Sequence, residues 1–263
     1  MDLKLTGKKA LVTGASKGLG FGIASILSAE GARVVINSRN EANLNAAKQR
    51  ILNETNRSVE TIACDLVSVE SSQLLINETV NLLGGLDILV TNTGGPRPGK
   101  FEEMTEEDWL NSFNLLLMSH VRLIRFALPY LRQSETPSVL TITSTAVKQP
   151  LPNLVLSNSI RAATVGLTKT LSQELGAEGI RFNSILPGYT DTERIQTLVK
   201  ASALNNGTSP SVELAKLTAE VPFHRIASVE EFAAVAVFLV SPVASYLNGT
   251  MLSVDGGAIK SLF

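Results

Sequence analysis

A chain of 263 residues with 44% hydrophobic and 18% charged side chains can bury a large core, which excludes intrinsic disorder and fits one α/β domain over residues 1–263. A formal net charge of −1 provides no electrostatic footprint for nucleic acid or for an anionic membrane. Cys64 is alone, so no internal disulfide can form; the opening MDLKLTGKKA has no apolar run like that of a secretory signal, no stretch reaches membrane-spanning length, and a soluble cytoplasmic protein is predicted.

Apolar runs alternate with amphipathic ones from end to end. The first strand is predicted over Lys9–Gly14 (KALVTG), and a glycine-rich turn leads from it into a helix over Leu19–Ala29. A second strand, Arg33–Ser38, and a helix, Glu41–Thr55, precede strands at Glu60–Asp65 and Leu86–Asn92. A long helical pattern covers Glu106–Arg132, then come a strand at Ser138–Ser144, a helix at Ser159–Leu175 and a strand at Ile180–Gly188. A helix at Val229–Leu239 and a strand at Thr250–Gly257 close the pattern. The strands are apolar almost throughout rather than alternating, as strands covered on both faces are, so a doubly wound parallel sheet flanked by helices is predicted. Residues 190–222 carry little strand signal and contain ASALNNGTSPS, which reads as an insertion over the sheet edge and as a substrate lid.

The turn LVTGASKGLGFGIA places Gly14, Gly18 and Gly20 between a strand and a helix. Glycines there let the backbone approach a pyrophosphate at the helix N-terminus, where free N–H groups and the helix dipole favour an anion. An acid about 20 residues on would hold a ribose 2′-hydroxyl and select NAD. The second strand instead ends in Asn37, Ser38 and Arg39, and Arg39 with Lys17 favours the 2′-phosphate of NADP(H).

With these motifs in place the chain resembles the short-chain dehydrogenase/reductase family, a Rossmann-type fold, over nearly its whole length, with a general likeness to 3-oxoacyl-(acyl-carrier-protein) reductase-like members. The motifs are TGASKGLG (Thr13–Gly20), CDL (Cys64–Leu66), TNTG (Thr91–Gly94), LPGYTDT (Leu186–Thr192) and the C-terminal run ending in SVDGG. The resemblance implies cofactor contacts from Gly14, Ser16, Lys17, Gly18, Leu19, Gly20, Arg39, Asp65, Leu66, Asn92, Gly94, Arg161, Pro187, Gly188, Thr190 and Thr192. It also implies a homo-oligomer, a tetramer or dimer paired through the long helices.

The family's catalytic set is Asn, Ser, Tyr and Lys. Ser144 matches the serine; the tyrosine position, 13 residues on, holds Ser157, the lysine position holds Arg161 and the helical asparagine falls on Leu116. Arg161 still supplies positive charge and ribose contacts, but a serine hydroxyl is too short and too weakly acidic to replace a tyrosine. Tyr189 is predicted to pack under the lid, His120 and His224 to be structural, and helix direction to carry His120 away from the C-terminal edge of the sheet. Arg97 and Lys100, overhanging the site after the fourth strand, make with Arg161 an anionic substrate or acyl thioester plausible. The predicted function is an NADP(H)-dependent oxidoreductase acting on a carbonyl or alcohol through a non-standard active site. The alternative is a catalytically impaired dinucleotide-binding protein serving as a redox sensor or assembly subunit.

Overall fold

Successive residues of a strand point to opposite faces, and in this chain both sets are apolar. Ala10 and Val12 pack into one core layer, whereas Leu11 between them packs into the other. The computed structural model describes residues 1–262. The first half of the chain runs β1 (Lys9–Val12), α1 (Gly18–Ala29), β2 (Arg33–Ser38), α2 (Glu41–Thr55), β3 (Glu60–Ala63), α3 (Val69–Leu83) and β4 (Ile88–Thr91). It continues with α4 (Glu106–Phe113), α5 (Ser119–Leu131), β5 (Ser138–Ile142), α6 (Val155–Glu174) and β6 (Arg181–Pro187). The last elements are α7 (Glu193–Asn206), α8 (Pro210–Thr218), α9 (Val229–Val240) and β7 (Met251–Val254).

The seven strands form one sheet in the order β3-β2-β1-β4-β5-β6-β7, and every neighbouring pair is parallel. One layer packs α1, α2 and α9 on the sheet through Ile23, Leu44, Ile51, Phe232 and Val237; the opposite layer packs α3 and α5 through Leu75, Leu83, Leu123 and Leu131. The chain leaves β1 in one direction and returns in β4 on its other side, so the strand order reverses between β1 and β4. A crevice opens at such a switch point, beyond the carboxyl ends of the strands.

Most strands end earlier than their sequence pattern. Gly14, Asp65, Asn92, Ser144 and Gly188 leave the ladder and belong to the loops at that edge. The pattern over Glu106–Arg132 is not one regular helix. Between α4 and α5 a π-helical turn covers Asn114–Met118. Its displaced carbonyls find hydroxyl partners: Ser119 Oγ donates to Leu115 O at 2.6 Å, and Thr164 Oγ1, from α6, donates to Leu116 O at 2.6 Å. Residues 190–222, which carry little strand signal, contain the helices α7 and α8. No helix among the described residues is long and apolar enough to cross a membrane.

Candidate active site

The turns after β1 and β4 face each other at the switch point and are locked together. Thr13 Oγ1 donates to Asn92 O and accepts from Asn92 N, both at 2.8 Å, and Asn92 Nδ2 donates to Gly14 O at 3.1 Å. Gly14 has φ +57°, and a Cβ on it would lie 2.8 Å from Asn92 O, so only glycine fits that approach. These turns form the floor of a cleft of about 1280 Å³ along the carboxyl edge of the sheet.

One end of the cleft has the chemistry a dinucleotide needs. Helices α2, α3 and α9 are capped by Asn40, Ser68 and Ser228, whose side chains accept from the third residue on. Helix α1 has no such cap: Lys17 makes no capping hydrogen bond, and no acid sits in the first turn. Its N–H groups and dipole are therefore left for an anion in the cleft. Ser16, Lys17, Gly18 and Leu19 line this end, and Gly20 does not. A Cβ on Gly20 would lie 2.5 Å from Gly14 O, so its part is close packing of the helix on the turn. Arg39, Asp65 and Leu66 line the cleft beyond β2 and β3; Arg39 is exposed and in no ion pair among the described residues, while Lys17 is held by Glu193 of α7 at 2.5 Å. Thr93 and Thr143 also line the cleft, and their buried Oγ1 atoms have no hydrogen-bond partner among the described residues. An uncapped helix start, a glycine cradle and orphaned hydroxyls fit a bound nicotinamide dinucleotide.

At the other end Ser144, Ser157 and Arg161 line the same cleft, with Asn92, Gly94, Pro187, Gly188, Thr190 and Thr192 between. Because α6 begins at Val155, Ser157 lies in its first turn and Arg161 one turn on. Arg161 is only 8% exposed; its Nε donates to Ser157 Oγ and its Nη1 to Ile142 O, both at 3.2 Å. Burial, and after it the charge of Arg194, pushes its pKa down to about 10, so it remains a cation at neutral pH. Ser144 Oγ accepts from Ala146 N at 3.1 Å, which leaves its own proton free to donate.

A family model described as enoyl-(acyl carrier protein) reductase matches residues 14–258. The chain belongs to the short-chain dehydrogenase/reductase family. Its relatives include the NADPH-dependent reductase BacG of Bacillus subtilis (strain 168), 30% identical over 97% of this chain and 99% of that protein. L-sorbose reductase from Gluconobacter frateurii, solved with NADPH and L-sorbose, superposes with a TM-score of 0.95 at 33% identity over 100% of both chains. An NADPH-bound short chain oxidoreductase from Pseudomonas aeruginosa PAO1 containing an atypical catalytic center superposes at 0.89, with 25% identity over 97% of this chain and 98% of that one. The protein is thus an oxidoreductase of this family, dependent on a nicotinamide cofactor and acting on carbonyl or alcohol substrates.

In this dehydrogenase/reductase, several side chains lie elsewhere than their sequence positions suggest. Leu116 is fully buried away from the cleft, which Leu115 lines instead. His120 is not carried away from the carboxyl edge: its Nδ1 meets Thr91 Oγ1, at the end of β4, at 2.6 Å. Full burial and the Arg161 charge hold its pKa at about 3, so it is a neutral packing group. Arg97 turns outward to Asp108 at 3.4 Å and to Glu103 O at 3.1 Å, and Lys100 is exposed outside the cleft lining. Tyr189 does line the cleft, and burial followed by the Glu220 charge raises its pKa, the wrong direction for an acid. His224 is exposed on a loop with φ +51°. Thr143 and Arg194 line the cleft from outside every motif singled out in the sequence, and Thr93 from within TNTG.

Proposed function

We propose that this protein is an NADP(H)-dependent reductase or dehydrogenase that works without a tyrosine–lysine pair. Ser144 donates its free proton in a hydrogen bond to the substrate oxygen, where negative charge develops as the carbonyl is reduced. Arg161 supplies fixed positive charge in the same place and a grip on ribose hydroxyls. The nicotinamide, when bound, supplies or accepts the hydride. Proton exchange at the product hydroxyl falls to water in the cleft, because burial, followed by the Glu220 charge, raises the pKa of Tyr189, the one tyrosine lining it among the described residues. The observation that carries this reading is the buried Arg161 guanidinium, anchored on Ser157 and Ile142, facing one cleft with Ser144. Helices α7 and α8 wall the cleft through Ile195, Leu198 and Leu217, with Val221 just beyond α8, and serve as the substrate lid. Stopped-flow oxidation of NADPH across ketones, aldehydes and oxo acids is the direct test. Binding of NADPH with no oxidation by any of them would favour a sensor or assembly subunit.

The preference for NADP(H) falls mainly to Arg39, since Lys17 is engaged by Glu193. A charge-assisted contact contributes about 1.5–3 kcal/mol, which corresponds to roughly a ten- to hundredfold tighter grip on NADPH than on NADH. Arg39→Asp is expected to reverse that order in a fluorescence titration. Tighter binding of NADH by the unaltered protein would overturn the assignment.

We also propose a homo-oligomer, a dimer or tetramer. Leu110 and Phe113 of α4 are 56% and 42% exposed, and Phe101, 70% exposed, meets Trp109 edge-on, an apolar patch of the kind that partners cover. Light scattering at micromolar concentration is expected to give a multiple of the 28.1 kDa chain mass, and monomer alone would rule the proposal out.

A further inference from the structure

Two arginines face the catalytic end of the cleft with no acid against either. Arg50, Arg97, Arg132 and Arg225 all make ion pairs; among the described residues Arg161 and Arg194 make none. The acids that line this part of the cleft are already taken, Glu193 by Lys17 and Glu220 by Lys260, and Lys216 is paired with Glu213. The unpaired charges left at the substrate end are therefore both positive. Arg194 comes from the first turn of α7 and reaches across to the loop after β4. There its Nη2 donates to Pro96 O at 3.3 Å, and its guanidinium covers Gly95 so closely that a Cβ on Gly95 would collide with it. Glycine at position 95 thus leaves room for the guanidinium to lie over the loop. Arg161, buried beneath, uses Nε and Nη1 on protein acceptors and still lines the cleft.

We propose that Arg194 is the specificity residue of this enzyme and holds a substrate carboxylate, so that the substrate is an oxo acid or the corresponding hydroxy acid. The inference rests on the reductase reading given above. A guanidinium presents a planar fork of donors that matches a carboxylate, and a site with two unpaired cations favours an anion over a neutral analogue. The Arg194 charge adds to burial in lowering the proton affinity of Arg161, and a bound anion offsets that repulsion. Leu115, Leu151, Leu154 and Leu198 line the surrounding wall and fit an aliphatic remainder. In the reaction the carbonyl carbon gains the hydride and its oxygen a proton from water, with NADPH oxidised to NADP⁺. The carboxylate takes no part beyond orientation.

The test pairs each acid with its methyl ester, using 2-oxobutanoate, 3-oxobutanoate and 4-oxopentanoate, and follows NADPH oxidation by the unaltered protein, Arg194→Met and Arg194→Lys. At least one acid is expected to exceed its ester by tenfold or more in kcat/KM. That ratio should collapse towards one in Arg194→Met and return in part in Arg194→Lys, with the Kd for NADPH changing less than threefold. Esters that match or beat the acids in every pair would overturn the proposal, as would a preference that survives Arg194→Met. A Kd for NADPH that rises in step with KM would make Arg194 a cofactor clamp instead. If no carbonyl is turned over, the reductase reading fails by itself, and calorimetric titration of malonate into the NADPH-loaded protein still decides the carboxylate site. Saturable binding lost in Arg194→Met supports the site, and no saturable binding rejects it.

Discussion

Replacing Ser144 by Ala is expected to lower kcat/KM about a hundred- to a thousandfold, the 2.7–4 kcal/mol typical of losing one donor to a developing oxyanion. The residue is set for that task. Its Oγ already accepts from Ala146 N, which fixes the hydroxyl and leaves one proton to give, and it lines the cleft with Arg161. Ser157→Ala is expected to change turnover less than about threefold with any substrate. Its Oγ accepts from Arg161 Nε, a cation that cannot take a proton from it, so no base is present to make it an acid–base group. Arg161→Ala should lower both the rate and the affinity for cofactor. A hundredfold loss in Ser157→Ala at normal cofactor affinity would show that Ser157 is the acid after all. If Ser144→Ala leaves the rate unchanged, the serine is a structural cap on its own turn and nothing more. The combined Ser157→Tyr, Arg161→Lys variant tests the converse. Gain of ordinary carbonyl reductase activity would mean that the cleft still matches the family and differs only in its acid.

The second large effect concerns stability. Arg181, the first residue of β6, is 8% exposed, and its guanidinium closes the end of α9. Nη1 donates to Leu239 O at 2.7 Å and to Ala244 O at 3.1 Å, and Nη2 donates to Val240 O at 3.1 Å and Ser241 O at 3.0 Å. The last carbonyls of a helix have no partners within it, and here one fork satisfies two of them, Leu239 O and Val240 O, at the negative end of the dipole, while Ser241 O and Ala244 O also accept backbone N–H groups. Desolvation pushes the Arg181 pKa down to about 10, which still leaves it charged at neutral pH. Leaving a buried acceptor unmade costs about 1–3 kcal/mol, so Arg181→Met is expected to cost about 3 kcal/mol or more even where water repairs part of the loss. For a domain of this size that is a fall in Tm of about 6–12 °C. Arg181→Lys should recover less than half, because a point charge cannot reproduce the fork. A fall below about 2 °C in Arg181→Met would show that the four contacts are replaced by solvent at little cost.

How much of this was legible beforehand depends on the range over which each property is set. Strand–helix alternation, the glycine turn, the missing acid after β2 and the spacing from Ser144 to Ser157 and Arg161 are local patterns, readable because periodicity and spacing act over a few turns of chain. The family resemblance itself rested on such local motifs in order. The π-helical turn at Asn114–Met118 was not legible, since its carbonyl at Leu116 depends on Thr164, 48 residues away. Nor was the direction of the long cations. Arg97 and Lys100 follow β4 and looked aimed at the site, but Asp108 draws Arg97 outward. Lys17 looked free for a phosphate and is met by Glu193, 176 residues on. Arg194 carried no signal, yet room above Gly95 and a carbonyl at Pro96 turn it inward. The sequence by itself determined the sheet, the cofactor turn and the residues at the catalytic positions, because chain spacing specifies them. Which charges face the substrate was decided only by the tertiary structure, since a long flexible side chain goes where distant parts of the chain place an acceptor and leave it space.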